Sequence, residues 1–272
     1  MKFEKTQAGN PHKLTVKQHV IPVRTIKRFA GTDGMVEVNI GAENRIERLK
    51  PDAGIFWTRR AWDQRTERGL MKQIEDRFQL LANRIVSGDL TEIPEESAHD
   101  INQFFSLWFH RSRIQPAEEI ETQMNNLTGS PLTKDEQEIL ESKHVLFVRE
   151  GGKIATRHLT GFQIQARIMM DNRNHAARRW GVIHAPEGEF VMPDVPAHDL
   201  MPITPTILLA ANHPSGLITR PNLITVNTEF LAYTRRYFFG RDLRVALDGV
   251  TETAIQKAAM ERNRKIAAGL VF

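Results

Sequence analysis

The 272-residue chain contains no cysteine, which excludes disulfide staples, thiolate metal sites and thiol nucleophiles. No apolar run approaches the ~20 residues that cross a bilayer. The opening stretch MKFEKTQAGNPHKL is charged but has no apolar h-region, so no secretory signal is expected. These absences together predict a cytoplasmic protein with no membrane partner. Several catalytic signatures are missing too. REGGK, which ends at Lys153, lacks the upstream glycine and the following hydroxyl of a P-loop. There is no H-E-x-x-H, no G-x-S-x-G, and no G-x-G-x-x-G after a strand, which excludes zincin, α/β-hydrolase and Rossmann readings. No internal repeat, low-complexity tract or linker divides the chain. The expected organisation is a flexible basic arm over residues 1–16 and one domain over 17–272.

What is present is ordinary globular composition, 40% apolar and 26% charged, with a formal net charge of +4. Such a balance permits a nucleic-acid partner without requiring one. Its distribution is more informative. Lys2, Lys5, Lys13, Lys17, Arg24, Lys27 and Arg28 make the first thirty residues basic, with Glu4 as their only acid. Arg235, Arg236, Arg241 and Arg244 form a second cluster, and Arg262, Arg264 and Lys265 a third. Solvated helix faces are the ordinary explanation of such runs.

Val20-Ile21-Pro22 is expected to be extended, because the residue before proline avoids the helical region. Ile26 and Phe29 then suit a short helix ended by Gly31. GMVEVNIGAENRIERL alternates as a hairpin, turning at Gly41 and Asn44. Leu70, Ile74, Phe78, Leu81 and Ile85 draw one apolar stripe along a helix over 65–87. A second helix carries Ile101, Phe104, Phe105 and Trp108 and is bounded by Pro116. Thr133 and Glu136, at capping-box spacing, open a third, and a fourth covers 160–177. RRWGVIHA and GEFVMP read as paired strands around a Pro186-Glu187-Gly188 turn, and TPTILLAAN as a strand buried on both faces. TVNTEFLAYTRRYFF reads as helix, and so does 251–268. The fold class is therefore α+β, a helical middle packed with a small, mostly antiparallel sheet built from N-terminal and C-terminal strands.

Four residues carry candidate chemistry. His19 sits where strand becomes helix; its imidazole suits a general base, or equally a ring pinned to a backbone carbonyl. Asp194, held extended before Pro196, suits a metal-binding or histidine-orienting carboxylate, or a turn-forming one. Glu75 lies at the flank of the buried stripe, aimed into a cleft or into solvent. Arg111 leans inward, and a buried arginine must be paired, with Glu75 or Asp194 as an attractive partner. A base, two carboxylates and an anion clamp would suit phosphodiester cleavage, with a divalent metal ion left open as a cofactor.

The order of the motifs resembles a family of bacterial and phage proteins catalogued as domain of unknown function 4238. The resemblance rests on His19-Val20-Ile21-Pro22 with Ile26 and Phe29, matching H-Y-x-P-x-x-x-L-x-x-F, and on the pair Ile74-Glu75. It continues through Arg111 and Arg113 before Pro116, Trp180 ahead of FVMPDVP with its Asp194-x-Pro196, and Asn227 with AYTRRYFFGRD. Val20, Val23 and Arg24 replace aromatic residues of the family pattern, and Pro193 and Val195 replace its serine and asparagine. The resemblance bears on the fold more than on the activity. The basic N-terminal arm, the arginine-rich late helix and the family-matched His19 and Asp194 together point to a nuclease-like phosphodiester hydrolase or nucleic-acid-acting effector, as would serve in bacterium–phage conflict. His19, Asp194 and Glu75 would then be catalytic, and Arg111, Arg24 and Asn227 substrate-binding. The altered neighbours of Asp194 favour the alternative, a non-enzymatic phage- or prophage-borne inhibitor that docks on a host protein or nucleic acid.

Overall fold

The computed structural model describes residues 2–41, 45–114 and 118–268, so Asn44 and Pro116 lie outside the described residues. In chain order, the first third contains β1 (Lys17–His19), α1 (Val23–Lys27), β2 (Val36–Ile40), β3 (Arg45–Leu49) and β4 (Trp57–Arg59). The helical middle contains α2 (Gln64–Thr66), α3 (Lys72–Val86), α4 (Glu95–Ser112), β5 (Glu121–Gln123), α5 (Lys134–Ser142), β6 (Lys153–Ala155) and α6 (Thr156–Asn174). Then follow β7 (Trp180–His184), β8 (Met192–Pro193), β9 (Leu200–Thr204), β10 (Ile207–Ala211) and β11 (Gly216–Leu217). The chain closes with α7 (Arg220–Tyr233), β12 (Tyr237–Gly240), α8 (Leu243–Ala246) and α9 (Glu252–Ala267).

The fold is α+β. One antiparallel sheet, in the order β3-β2-β12-β8, joins the N-terminal hairpin to late strands. A second sheet has the order β11-β7-β10-β9, in which only β11 runs parallel to its neighbour. β10 lies between two partners, as its unbroken apolarity requires.

Alternation along β12 divides the interior. Tyr237 and Phe239 face the main core, with Phe29, Phe56, Phe78, Phe104, Trp108 and Ile164. Phe238 faces a second core with Phe190, Phe230, Tyr233 and Leu243. Phe239 meets Phe29 and Phe56 edge-on at 5.5 and 5.4 Å, and Phe78 stacks on Phe104 at 3.8 Å. Trp180 donates its indole N–H to Asn102 at 2.8 Å, tying β7 to α4.

Three readings need correction. TVNTEFLAYTRRYFF is not one helix: α7 ends at Tyr233, and Tyr237–Gly240 is strand. The turn between them is held by a carboxylate from another segment, which local periodicity does not reveal. RRWGVIHA and GEFVMP do not pair with each other, because β7 bonds to β10 and β11 whereas β8 bonds to β12. The strand β9 was not anticipated. The helix expected over 65–87 is broken by a π-helical turn at Glu67–Met71, where Gly69 leaves helical geometry. The capping box of Thr133 and Glu136 is formed as its spacing predicts.

Residues 2–16 form no helix or strand, yet they are bonded to the domain. Gln7 donates its backbone N–H to Glu138 at 2.9 Å, His12 meets Asp135 at 2.7 Å, and Thr15 N–H reaches Gln64 at 2.8 Å.

Helix α6 crosses the start of α2 at Gly161. A Cβ there would lie 2.1 Å from Oδ2 of Asp63, whose carboxylate accepts from Thr66 N–H and Oγ1. Gly161→Ala should therefore lower stability by about 1–3 kcal/mol through overpacking, read as an earlier urea midpoint at an unchanged m-value.

Candidate functional site

Arg111, in the last turn of α4, is 2% exposed at its side chain. Glu67 and Met71, at the two ends of the π-helical turn, and Glu75, in the first turn of α3, all touch Arg111. Its guanidinium donates to Glu75, to the Met71 sulfur at 3.3 Å, and to Glu67 at 3.5 Å. It also donates to the backbone carbonyl of His19 at 3.3 Å and lies 5.0 Å from the Trp62 ring centroid. Three candidate residues from three separate segments thus meet in one cluster. The His19 imidazole is pushed below its ordinary pKa by burial, with Glu75 opposing, and its Nε2 is buried without a partner. At neutral pH this ring is uncharged.

The other candidates are placed differently. Asp194 accepts from the backbone N–H groups of Arg235 and Arg236, both at 2.9 Å, one on each carboxylate oxygen. Burial pushes its carboxyl above the ordinary value, with those amides opposing. It is the carboxylate that turns the chain from α7 into β12. Asn227 is fully buried; it accepts from Val191 N–H at 3.1 Å and donates to the carbonyls of Glu189 and Ala246 at 2.8 and 2.7 Å. Its amide is committed to backbone. Arg24 is exposed, 3.7 Å from Asp76. It borders a hollow of about 310 Å³ whose Arg24, Arg68 and Lys72 are matched by Glu67, Glu75 and Asp76.

A larger cavity, of about 440 Å³, lies where the first strands, the ends of α4 and α6, and the turn before β12 meet. Arg59, Arg60, Arg111, Arg157, Arg235 and Arg236 line it, against the carboxylates Glu4 and Asp194. These arginines are not equivalent. Arg60 and Arg157 are buried and share Glu141 at 2.8 and 2.6 Å, and Arg111 is held as described. Arg59, Arg235 and Arg236 are exposed and make no carboxylate ion pair among the described residues. Arg59 lies over Phe3 and Trp57 at 5.3 and 5.7 Å. Val20, adjoining His19, lines the same cavity.

The floor of this cavity belongs to a ladder of buried charge. Burial raises the carboxyl of Glu141, but Arg157 and Arg60 outweigh it and hold the group at about 2. Glu4 is likewise held well below the carboxylate range, burial being overcome by Arg157, Lys134 and Arg149. His158, packed edge-on to Phe147 at 5.3 Å, is pushed down to about 4 by burial and by Arg157. Of these, only Glu4 carried a signal in the sequence, as the lone acid of a basic stretch. Arg60, Glu141 and Arg157 lie far apart along the chain with no motif to link them. Among the described residues, no three His, Asp or Glu side chains converge as a metal ion would require.

Comparison with models of protein families, with curated proteins and with solved structures finds no match.

The pKa directions set the acid response. A folded-state pKa below its unfolded value adds stability that is present above the unfolded value and lost as pH falls. His158 should withdraw its contribution between 6.5 and about 4, and Glu141 should follow between 4.5 and about 2. Urea midpoints should therefore fall from pH 6.5 downward, with the first step on the order of 3 kcal/mol. His158→Phe should shrink that first step to the part that His19, also pushed down by burial, contributes, and leave the second.

Proposed function

We propose that the chain is a nucleic-acid-acting protein that takes phosphodiester groups into the arginine-lined cavity. The observation carrying this reading is the set Arg59, Arg235 and Arg236, exposed at the cavity and in no carboxylate ion pair among the described residues. Asp194 acts on Arg236 only through its charge and on both residues' backbone N–H groups. A guanidinium presents paired N–H donors that match phosphate oxygens, and a cavity of about 440 Å³ has room for a nucleotide-sized group. Asp194 supports the reading as a positioning residue, because it fixes the backbone from which Arg235 and Arg236 project. The bacterium–phage setting implied by the family resemblance is part of the same proposal.

Hydrolysis is the second reading, and His19 favours it. A neutral imidazole with an unpartnered Nε2, beside Glu75 and next to a cavity-lining residue, suits proton abstraction from an attacking hydroxyl.

Anisotropy of a labelled single-stranded oligonucleotide tests the binding reading across a salt series. The double variant Arg235→Ala/Arg236→Ala should bind more weakly and reduce the slope of log K on log salt by about 1.4, two contacts at ~0.7 each. An unchanged affinity and slope would remove the proposal. For the hydrolytic reading, His19→Ala should abolish cleavage of the same oligonucleotide while melting cooperatively. Full cleavage by that variant rules His19 out as the base.

A further inference from the structure

We infer that Lys134, Arg149 and Arg157 form a second phosphate subsite of this cavity, occupied in the ligand-free chain by the carboxylate of Glu4. The inference rests on the phosphate-binding reading and adds to it a class of ligand, a strand that ends in a phosphate monoester.

Glu4 is coordinated as an anion ligand would be. Its Oε1 accepts from Lys134 Nζ at 2.6 Å and from Arg149 Nη2 at 2.7 Å, and its Oε2 accepts from Arg157 Nη1. Three charge-assisted donors converge on one small anion, and Glu4 and Arg157 both line the cavity.

The cradle does not need Glu4 for its shape. Arg157 is held from behind by Glu141, through Nε at 3.1 Å and Nη2 at 2.6 Å. Arg149 is held by Glu121 at 2.6 Å, and Lys134 lies 3.5 Å from Glu138. Each cation thus keeps a second carboxylate if Glu4 departs, so the donors stay aimed at the vacated position. The part of the chain that brings Glu4 is held more lightly: residues 2–6 belong to no helix or strand, and besides Glu4 they are tied by an exposed Lys2–Glu119 pair at 3.2 Å and by Phe3 against Arg59. The bonds of Gln7 and His12 to α5 give them a fixed point from which to lift.

Charge decides the competition. Glu4 brings one negative charge, whereas a phosphate monoester brings about −1.5 to −2 at neutral pH and three acceptor oxygens. A terminal phosphate should displace Glu4; a phosphodiester, with its single charge, should not.

The test uses one oligonucleotide with and without a terminal phosphate, on the full chain. The wild type should prefer the phosphorylated form. Glu4→Gln should bind it about tenfold more tightly, as expected for relief of one charge-assisted competitor. Arg149→Ala should erase the preference for the phosphate. Because Glu4→Gln also removes a buried ion pair, a second measurement uses the unmodified chain: the phosphorylated oligonucleotide should speed tryptic cleavage after exposed Lys5. A Glu4→Gln variant that melts cooperatively but gains no affinity, or cleavage at Lys5 that is unchanged or slowed, overturns the inference. If binding then still responds to salt and to Arg235→Ala/Arg236→Ala, the first reading survives without it. If no oligonucleotide binds, both fall.

Discussion

A guanidinium can leave water only when carboxylates or equivalent acceptors meet it, and this constraint organises the middle of the molecule. Arg111, Arg60 and Arg157 are all buried, and each collects acceptors from distant segments. Arg111 draws the π-helical turn and the carbonyl of His19 onto the end of α4. Arg60 and Arg157 draw α5 and residues 2–6 onto α6. Buried pairs of this kind contribute little net stability against an apolar alternative, yet they penalise any arrangement that leaves one charge alone. Their effect here is to fix which segments meet, and the cavity is the place where those segments converge.

The helices were largely legible because their cores recur at three- and four-residue steps. Ile74, Phe78, Leu81 and Ile85 announce α3, and Ile101, Phe104, Phe105 and Trp108 announce α4. The hairpin of β2 and β3 was legible from alternation. The late strands were not. Tyr237, Phe238 and Phe239 continue the apolar texture of α7, and the change to strand is made by Asp194, forty-odd residues earlier, through two backbone bonds. β7 and β8 are each apolar enough to pair with the other and both reach the main core, and they are sent to different sheets by the partners that claim them, β10 for β7 and β12 for β8.

For the site, residue chemistry gave His19, Glu75, Arg111 and Asp194 as a group, and a buried arginine's need for an acid supplied the link. The first three meet, whereas Asp194 is taken up by the backbone N–H groups of Arg235 and Arg236. The same reasoning could not place Asn227, whose amide proves to be a backbone fastener, or rank one arginine over another. Arg235 and Arg236 differ from Arg60 and Arg157 in being exposed and in having no carboxylate in an ion pair with the guanidinium among the described residues, and both are properties of three dimensions. Sequence shows where charge is dense; the structure shows which part of it is spare.

The pairing of Val38 with Phe239 has a consequence for how the molecule is made. About three quarters of the chain separates these neighbours, so loop closure makes their ladder a late event. During synthesis the hairpin of β2 and β3 emerges long before its partner and presents a bare strand edge, the kind of surface that invites association with other chains. Asn39 and Glu37 on that edge, one polar and one charged, leave it less adhesive while it waits.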